Sequence, residues 1–305
     1  MSGDVIVTVT LNAALYVSYV AGSLSEDGVN PVSRPVFWAG GRGVTAAKVL
    51  HAFGHDVLAA GLAGGGSGEL IRADLARSGV PTAFTQIHGE SRRVSRLRGP
   101  DGRVLRFGEP GPYITTEELG RFAGEYRRLL SGAAAVVLSG SLPEGLPPDM
   151  YGTLVTYAAE AGVPVFLDAG GEELLHAAAH RPDLVIADAR RVRPDADLGT
   201  ALLRLGAGAA VVVEEQLIHV ITADGDWTAS VEAPGADATS LDARGALVAG
   251  MVPGQLLGWD WPDRLRHALA LAAAGAAAEL DGLGEVDVAT YERLLEAVSV
   301  KLPDP

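Results

Sequence analysis

Two glycine-rich approaches to apolar runs are the places in this chain best suited to hold an anion. One is Ala39-Gly40-Gly41-Arg42-Gly43-Val44-Thr45. The other is Ala243-Arg244-Gly245-Ala246-Leu247-Val248. Small residues let the backbone approach a ligand closely. A helix start adds free N–H groups and a partial positive charge. Arg42 brings a planar guanidinium fork that suits phosphate or carboxylate. Ala243, Arg244, Gly245 and Ala246 form a candidate anion hole. Arg244 adds a positive charge where the helix dipole disfavours one, so it either has an anionic partner or points to solvent.

Polar residues that follow apolar, β-rich runs complete the candidate list: Asn12, Ser139, Asp168, Asp188 and Glu214. Arg92 and Arg96 alternate along a strand and so share a face. Arg93, Arg98, Arg103 and Arg106 make that neighbourhood generally basic. For Asp168, a cap on the following helix is favoured over a ligand contact. His176 and His180 have a zinc-like i, i+4 spacing, but no acidic partner follows in the required pattern, and no metal site is assigned. The glycines at 64–68 do not follow the first strand, so they are not a dinucleotide fingerprint.

The elements that would carry these residues alternate. Residues 5–10, 57–61, 134–138, 163–167, 183–186 and 210–213 are strand-like, with helical stretches between them. Repeated strand–helix units imply a mostly parallel sheet covered by helices, with ligands at the carboxyl ends of its strands. Residues 16–19 and 34–38 are short β pieces. Residues 82–87, 92–98 and 104–107 are expected to form an antiparallel meander inserted among the α/β units. Residues 64–68 are expected to be a loop before a helix at 69–78. The final helices are expected at 262–278 and 288–298. The division that follows is an α/β core of residues 1–12, 39–80 and 110–305, with a smaller β unit of residues 13–38 and 81–109.

The chain has 305 residues, 48% hydrophobic, with a net charge of -14. That is ample for a large core. It argues against nucleic acid and an anionic membrane surface as partners, because both need clustered cations. There is no cysteine, which removes disulfides, thiolate metal sites and thiol nucleophiles. No signal peptide is read at the start, and a cytoplasmic protein is expected. The only lysines are Lys48 and Lys301.

Taken together, Thr10-Leu11-Asn12, Gly40-Gly41-Arg42-Gly43, Gly108-Glu109-Pro110-Gly111-Pro112, Ser139-Gly140-Ser141-Leu142-Pro143-Glu144-Gly145, Asp168 and Pro182-Asp183-Leu184-Val185 resemble the ribokinase-like (phosphofructokinase B) sugar kinases. The branch they resemble is that of 1-phosphofructokinase and tagatose-6-phosphate kinase. The resemblance implies a large α/β core, a small β-sheet lid and a homodimer joined through the lids. It also implies phosphoryl transfer from Mg·ATP to a sugar hydroxyl, which needs positioning, charge neutralisation and a base. The implied sugar-binding positions are Asn12, Tyr16, Gly40, Gly41, Arg42, Gly43, Thr45, Arg92, Arg96, Ser139 and Asp168.

Several family functions are replaced in this sequence. The family's Gly-Ala-Gly-Asp, whose Asp is the base, aligns here with 243–246 and puts Ala246 in the base position. Asp242, read as lying in the approach to the helix, is a weak substitute. The sugar-binding Asp of the first-strand motif is Tyr16, and the Lys and Asn of the glycine turn are Arg42 and Thr45. At the Mg·ATP motif Asp188 is followed by Arg191 where a Glu is expected, and the nucleotide loop becomes Glu214-Glu215-Gln216 without glycine. These departures imply a catalytically dead or strongly impaired homologue, needing no cofactor, that keeps a cleft for a phosphorylated sugar or other small anion. The alternatives are an active kinase using Mg2+ and ATP with relocated residues, and a purely structural or interaction protein.

Overall fold

The computed structural model describes residues 5–25, 27–190, 197–214, 217–232, 241–281 and 286–301. In chain order the elements are β1 (Val5–Thr10), β2 (Ala14–Val20), β3 (Val36–Gly40), α1 (Arg42–Ala52), β4 (Val57–Gly64), α2 (Gly65–Arg77), β5 (Thr82–Ile87), β6 (Arg92–Arg98), β7 (Val104–Gly108), α3 (Thr116–Leu130), β8 (Ala133–Ser139), α4 (Met150–Glu160), β9 (Val165–Asp168), α5 (Gly171–Ala178), β10 (Leu184–Asp188), α6 (Leu198–Leu205), β11 (Ala209–Glu214), β12 (Leu217–Thr222), β13 (Asp226–Val231), α7 (Leu241–Leu256), α8 (Trp261–Asp281), α9 (Val288–Leu295) and β14 (Val298–Lys301).

The large sheet runs β14-β13-β12-β11-β10-β9-β8-β1-β4-β5. It is parallel from β11 to β5, and β12, β13 and β14 add an antiparallel edge. The parallel strands are buried on both faces, which is why they read as near-continuous apolar runs. One face packs against α1, α7 and α8, the other against α3, α4, α5 and α6. From β1 the chain moves to β4 on one side and later to β8 on the other. The strand order therefore reverses between β1 and β8, where such sheets open a crevice.

The small sheet has the order β3-β2-β6-β7. It is not a simple meander, because β2 and β6 pair in parallel. β5, expected among the lid strands, instead pairs in parallel with β4 at the edge of the large sheet. Its alternation comes from being a half-buried edge strand, a pattern shared with antiparallel strands. The glycine stretch is also not a loop. β4 runs through Gly64 and α2 starts at Gly65. Glu90 supplies the missing cap, its carboxylate accepting from the backbone N–H groups of Gly66 and Ser67. The capping box at Thr115 and Glu118 forms as expected. The last helix stops at Leu295, and the chain returns to the sheet as β14. No helix among the described residues is long and apolar enough to cross a membrane.

A buried ion pair ties the small sheet to the helices of the core. Asp74 of α2 accepts from Lys48 Nζ of α1 at 2.6 Å and from the backbone N–H of Ala39 in β3 at 2.8 Å, both on Oδ2. Arg77 closes the other oxygen. This joins α1, α2 and the strand leading into Gly40-Gly41. Removing one partner of a buried pair leaves an uncompensated charge, which costs about 3–5 kcal/mol. Asp74→Asn should therefore lower the unfolding free energy by about 3 kcal/mol in equilibrium urea denaturation, with little change in the slope.

Candidate active site

Asp168 ends β9 with no exposure at all. Its carboxylate is held from three directions. Ser139, its ladder partner at the end of β8, donates from Oγ to Oδ2 at 2.9 Å. Arg42, the first residue of α1, donates from Nη1 to Oδ1 at 2.8 Å. Arg244 donates from Nη2 to the same Oδ1. The expected helix cap does not form: Gly170 is the N-cap of α5, with no side-chain bond. Two nearby guanidiniums, both buried, draw the carboxylate instead.

Arg244 does not reach solvent, since only 2% of it is exposed. Besides Asp168 it donates to the Ile186 carbonyl at 3.3 Å, and its Nη1 lies 3.8 Å from Asp188 Oδ2. Burial pulls its pKa down, while Asp168 and Asp188 hold the charge in place. Asp188, at the end of β10, is also bonded by Arg190 through the backbone N–H at 3.0 Å, Nε at 3.2 Å and Nη2 at 3.2 Å. Burial pushes the Asp188 carboxyl up, but the Arg190 bonds and the Arg244 charge leave it below its ordinary value.

The glycines bring the two helix starts together. A Cβ on Gly245 would lie 2.6 Å from the Arg42 carbonyl and 2.6 Å from Thr45 Cβ, so α7 passes against α1 there. A Cβ on Gly43 would meet Thr10 Oγ1 at 2.4 Å, so α1 lies against β1. Gly41 takes a φ of 113°, a turn that other residues rarely make. Gly40 presses on the Tyr16 ring, which meets Trp38 edge to face at 5.5 Å.

From the small sheet, Arg92 donates from Nε to the Asn12 carbonyl at 3.2 Å. Burial lowers its pKa. Tyr16 opposes that shift, and the like charge of Arg42 adds to it, so two guanidiniums lie in the same electrostatic neighbourhood. Asn12 donates from Nδ2 to Ser141 Oγ at 3.2 Å, while its buried Oδ1 has no partner among the described residues. Gly111 packs directly on that amide.

The structure thus brings together Asn12, Arg42, Arg92, Ser139, Asp168, Asp188 and Arg244. It adds Ser141, Arg190 and Gly111. Arg190 is legible as a cation two residues beyond a strand-end acid; Ser141 and Gly111 stand within the motifs quoted above, and only long-range contacts place them against Asn12. Other positions fall elsewhere. Arg96 is buried on the same face of the small sheet as Arg92 but four residues further along β6, opposite Arg106. Glu214 is exposed at the end of β11. α7 begins at Leu241, so Asp242 is in its first turn and not in the approach to it. Ala246 is fully buried in the apolar cluster beneath α7 and α8, which shows that its side chain faces the core. Ala243 is equally buried. Arg191, Glu215 and Gln216 lie outside the described residues.

Residues 7–191 match the model of the pfkB family carbohydrate kinases, more than half of the chain. The chain belongs to the pfkB family. It is 36% identical over 169 residues to a tagatose-6-phosphate kinase of Staphylococcus epidermidis, an alignment that covers 55% of this chain and 54% of that relative. The match therefore spans about half the length of the relative. Among solved structures, a possible 1-phosphofructokinase of Thermotoga maritima superposes with a TM-score of 0.86 at 23% identity, covering 98% of this chain and 100% of that one. Phosphofructokinase-2 of Escherichia coli in complex with substrates and products gives a TM-score of 0.84 at 23% identity, covering 95% and 98%. At that identity the likeness is one of fold. The recognised family and the α/β architecture with a small separate sheet both stand.

The family implies Mg·ATP, and the carboxylates described here do not fit a divalent ion. Hard cations take free carboxylate oxygens and waters. Asp188 has both oxygens engaged by Arg190 and a third guanidinium contact from Arg244. Asp168 has both oxygens taken by Ser139, Arg42 and Arg244. Among the described residues no group of three or more His, Asp or Glu is arranged to hold a metal.

Asp168→Asn would leave Arg42 and Arg244 buried opposite a neutral amide. It should lower stability by about 3–5 kcal/mol in urea denaturation. The lowered pKa of Asp188 sets a pH test. Its stabilising effect is present above the ordinary carboxylate value and disappears as pH falls through its lowered value. The wild-type minus Asp188→Asn difference in unfolding free energy should therefore shrink on acidification below the ordinary carboxylate range.

Proposed function

We propose that this protein is a pfkB-family member in which phosphoryl transfer is lost or strongly impaired and whose cleft binds a phosphorylated sugar or another small anion. The observation that carries the binding half is the charge arrangement. Arg42 and Arg244 bond Asp168, Arg92 bonds the Asn12 carbonyl within the electrostatic reach of Arg42, and Asp188 is matched by Arg190. Three guanidiniums against one carboxylate leave positive charge that a phosphate dianion neutralises. The unpartnered Asn12 Oδ1 is an acceptor for a sugar hydroxyl. Tagatose-6-phosphate kinase and phosphofructokinases among the relatives support a sugar phosphate as the ligand class.

The catalytic half rests on residue chemistry. Arg244 and Gly245, the residues that α7 turns toward Asp168 and α1, carry no proton acceptor, and Ala246, the expected base position, faces the core. Absence of a general base costs roughly 10²–10⁴ in rate. The carboxylates at Asp168 and Asp188 are occupied by arginines, so the negative charge of ATP has no metal seat there among the described residues. No cofactor is assigned. The second possibility is an ATP-dependent sugar-phosphate kinase using Mg2+ with Asp242 as base, favoured by the place of that residue in the first turn of α7.

The small sheet supports a homodimer. Phe37, Leu105 and Phe107 share one of its faces and are 44%, 48% and 58% exposed. A second copy covering that face would remove the apolar surface from water. With a net charge of -14, nucleic acid and anionic membranes are not proposed as partners. A cytoplasmic location is part of the same proposal.

Isothermal calorimetry with fructose 1-phosphate, fructose 6-phosphate and tagatose 6-phosphate, beside the unphosphorylated sugars, tests the binding half. At least one phosphorylated sugar should bind, and Arg42→Met together with Arg92→Met should weaken it by about tenfold or more, the size of a lost charge-assisted contact. Silence across the whole panel would contradict the proposal.

A further inference from the structure

Asp168 and Asp188 end neighbouring parallel strands, with Ile186 standing opposite Asp168 in the ladder. Their carboxylates are 0% and 1% exposed as residues. Two buried like charges so placed repel each other and demand a cation between them. In this protein the cation is covalently attached. Arg244 reaches Asp168 with Nη2 and lies 3.8 Å from Asp188 with Nη1, while the Ile186 carbonyl holds the guanidinium in position.

We propose that Arg244 is a resident cation that makes anion recognition in this cleft independent of divalent metal. The proposal rests on the cleft being an anion site. Arg42 and Arg244 share a single oxygen of Asp168, Oδ1. If Arg42 turns from that oxygen to an incoming phosphate, Arg244 keeps the carboxylate compensated. Without Arg244, the same movement would strand a fully buried charge, at a cost far above that of an exposed one. Arg244 is thus a positioning residue, acting through Asp168, and Arg42 is the group that meets the anion. The buried Nε of Arg244 has no partner among the described residues, so even this guanidinium keeps one donor unspent.

Removing Arg244 should create what the wild-type site lacks: two carboxylates at adjoining strand ends with no guanidinium between them. Arg42 and Ser139 stay on Asp168 and Arg190 stays on Asp188, but the positions that face Arg244, on Asp168 Oδ1 and Asp188 Oδ2, are freed for a hard cation. Arg244→Met should therefore gain a response to magnesium that the wild type does not have. Arg244→Lys keeps a charge but loses the two-pronged fork, so it should remain metal-insensitive while binding more weakly.

The test titrates fructose 6-phosphate and inorganic phosphate into the wild-type protein and both variants, in chelator and in magnesium, and follows melting temperature in the same buffers. Wild-type affinity should differ by less than about threefold between the two buffers, a change under 1 kcal/mol. Arg244→Met should lose about tenfold or more in affinity, and its melting temperature alone should rise with magnesium. Wild-type binding that requires magnesium would overturn the proposal. So would a magnesium-dependent rise in the wild-type melting temperature equal to that of Arg244→Met. If Arg244→Met does not fold, a magnesium response in Arg244→Lys that the wild type shares overturns the proposal, and its absence from both, with weaker binding in the variant, supports it. If the wild type binds no anion in either buffer, the anion reading of the cleft fails, while the magnesium response still decides the role of Arg244.

Discussion

A carboxylate without any exposure to water, shared by two arginines, governs the functional end of this molecule. Asp168 cannot remain charged in the interior unless its oxygens are fully engaged. Meeting that demand draws Arg42 from the start of α1, Arg244 from α7 and Ser139 from β8 to a single point. The point lies beside the reversal in strand order between β1 and β8. The glycines at 41, 43 and 245 make the convergence sterically possible, because a side chain at 43 or 245 would collide with Thr10 or Arg42. The ion cluster and the small residues are thus two halves of one arrangement.

The same arrangement changes what the site can do. A phosphoryl-transfer site needs a base, a metal seat and room for nucleotide phosphates. Here the acids at the strand ends are spent on arginines, and α7 carries Arg244 and Gly245 where it meets α1. Positive charge in excess of Asp168 comes from the small sheet through Arg92, which reaches Asn12 and feels Arg42. The small sheet is in turn fixed to the core by the buried Lys48–Asp74 pair, which bonds the strand leading to Gly40. On the function proposed above, binding geometry and proton chemistry are separable in this fold: the first rests on arginines and glycines and needs no base.

Most of the architecture was legible in the chain because parallel strands buried on both faces leave continuous apolar runs with a polar residue at each end. Asn12, Ser139, Asp168 and Asp188 were found in that way. What was not legible depended on distant partners. Thr82 to Ile87 alternates like a lid strand, and only its pairing with β4 assigns it to the large sheet. α2 shows no capping residue beside its first turn because Glu90, well downstream, supplies the cap. Asp168 looked like a helix cap since nothing local announced Arg244, 76 residues away. The placement of Ala246 was missed for a rotational reason. α7 starts at Leu241, and at about 100° per residue a position two beyond Arg244 faces the core.

The most direct measurement of whether phosphoryl transfer has been lost is ADP release by the purified protein in saturating Mg·ATP with fructose 1-phosphate, fructose 6-phosphate or tagatose 6-phosphate. The arrangement around Asp168 predicts a rate that does not rise above the protein-free background for any of the three. Sustained, substrate-dependent ADP release that disappears in Asp242→Ala would contradict it.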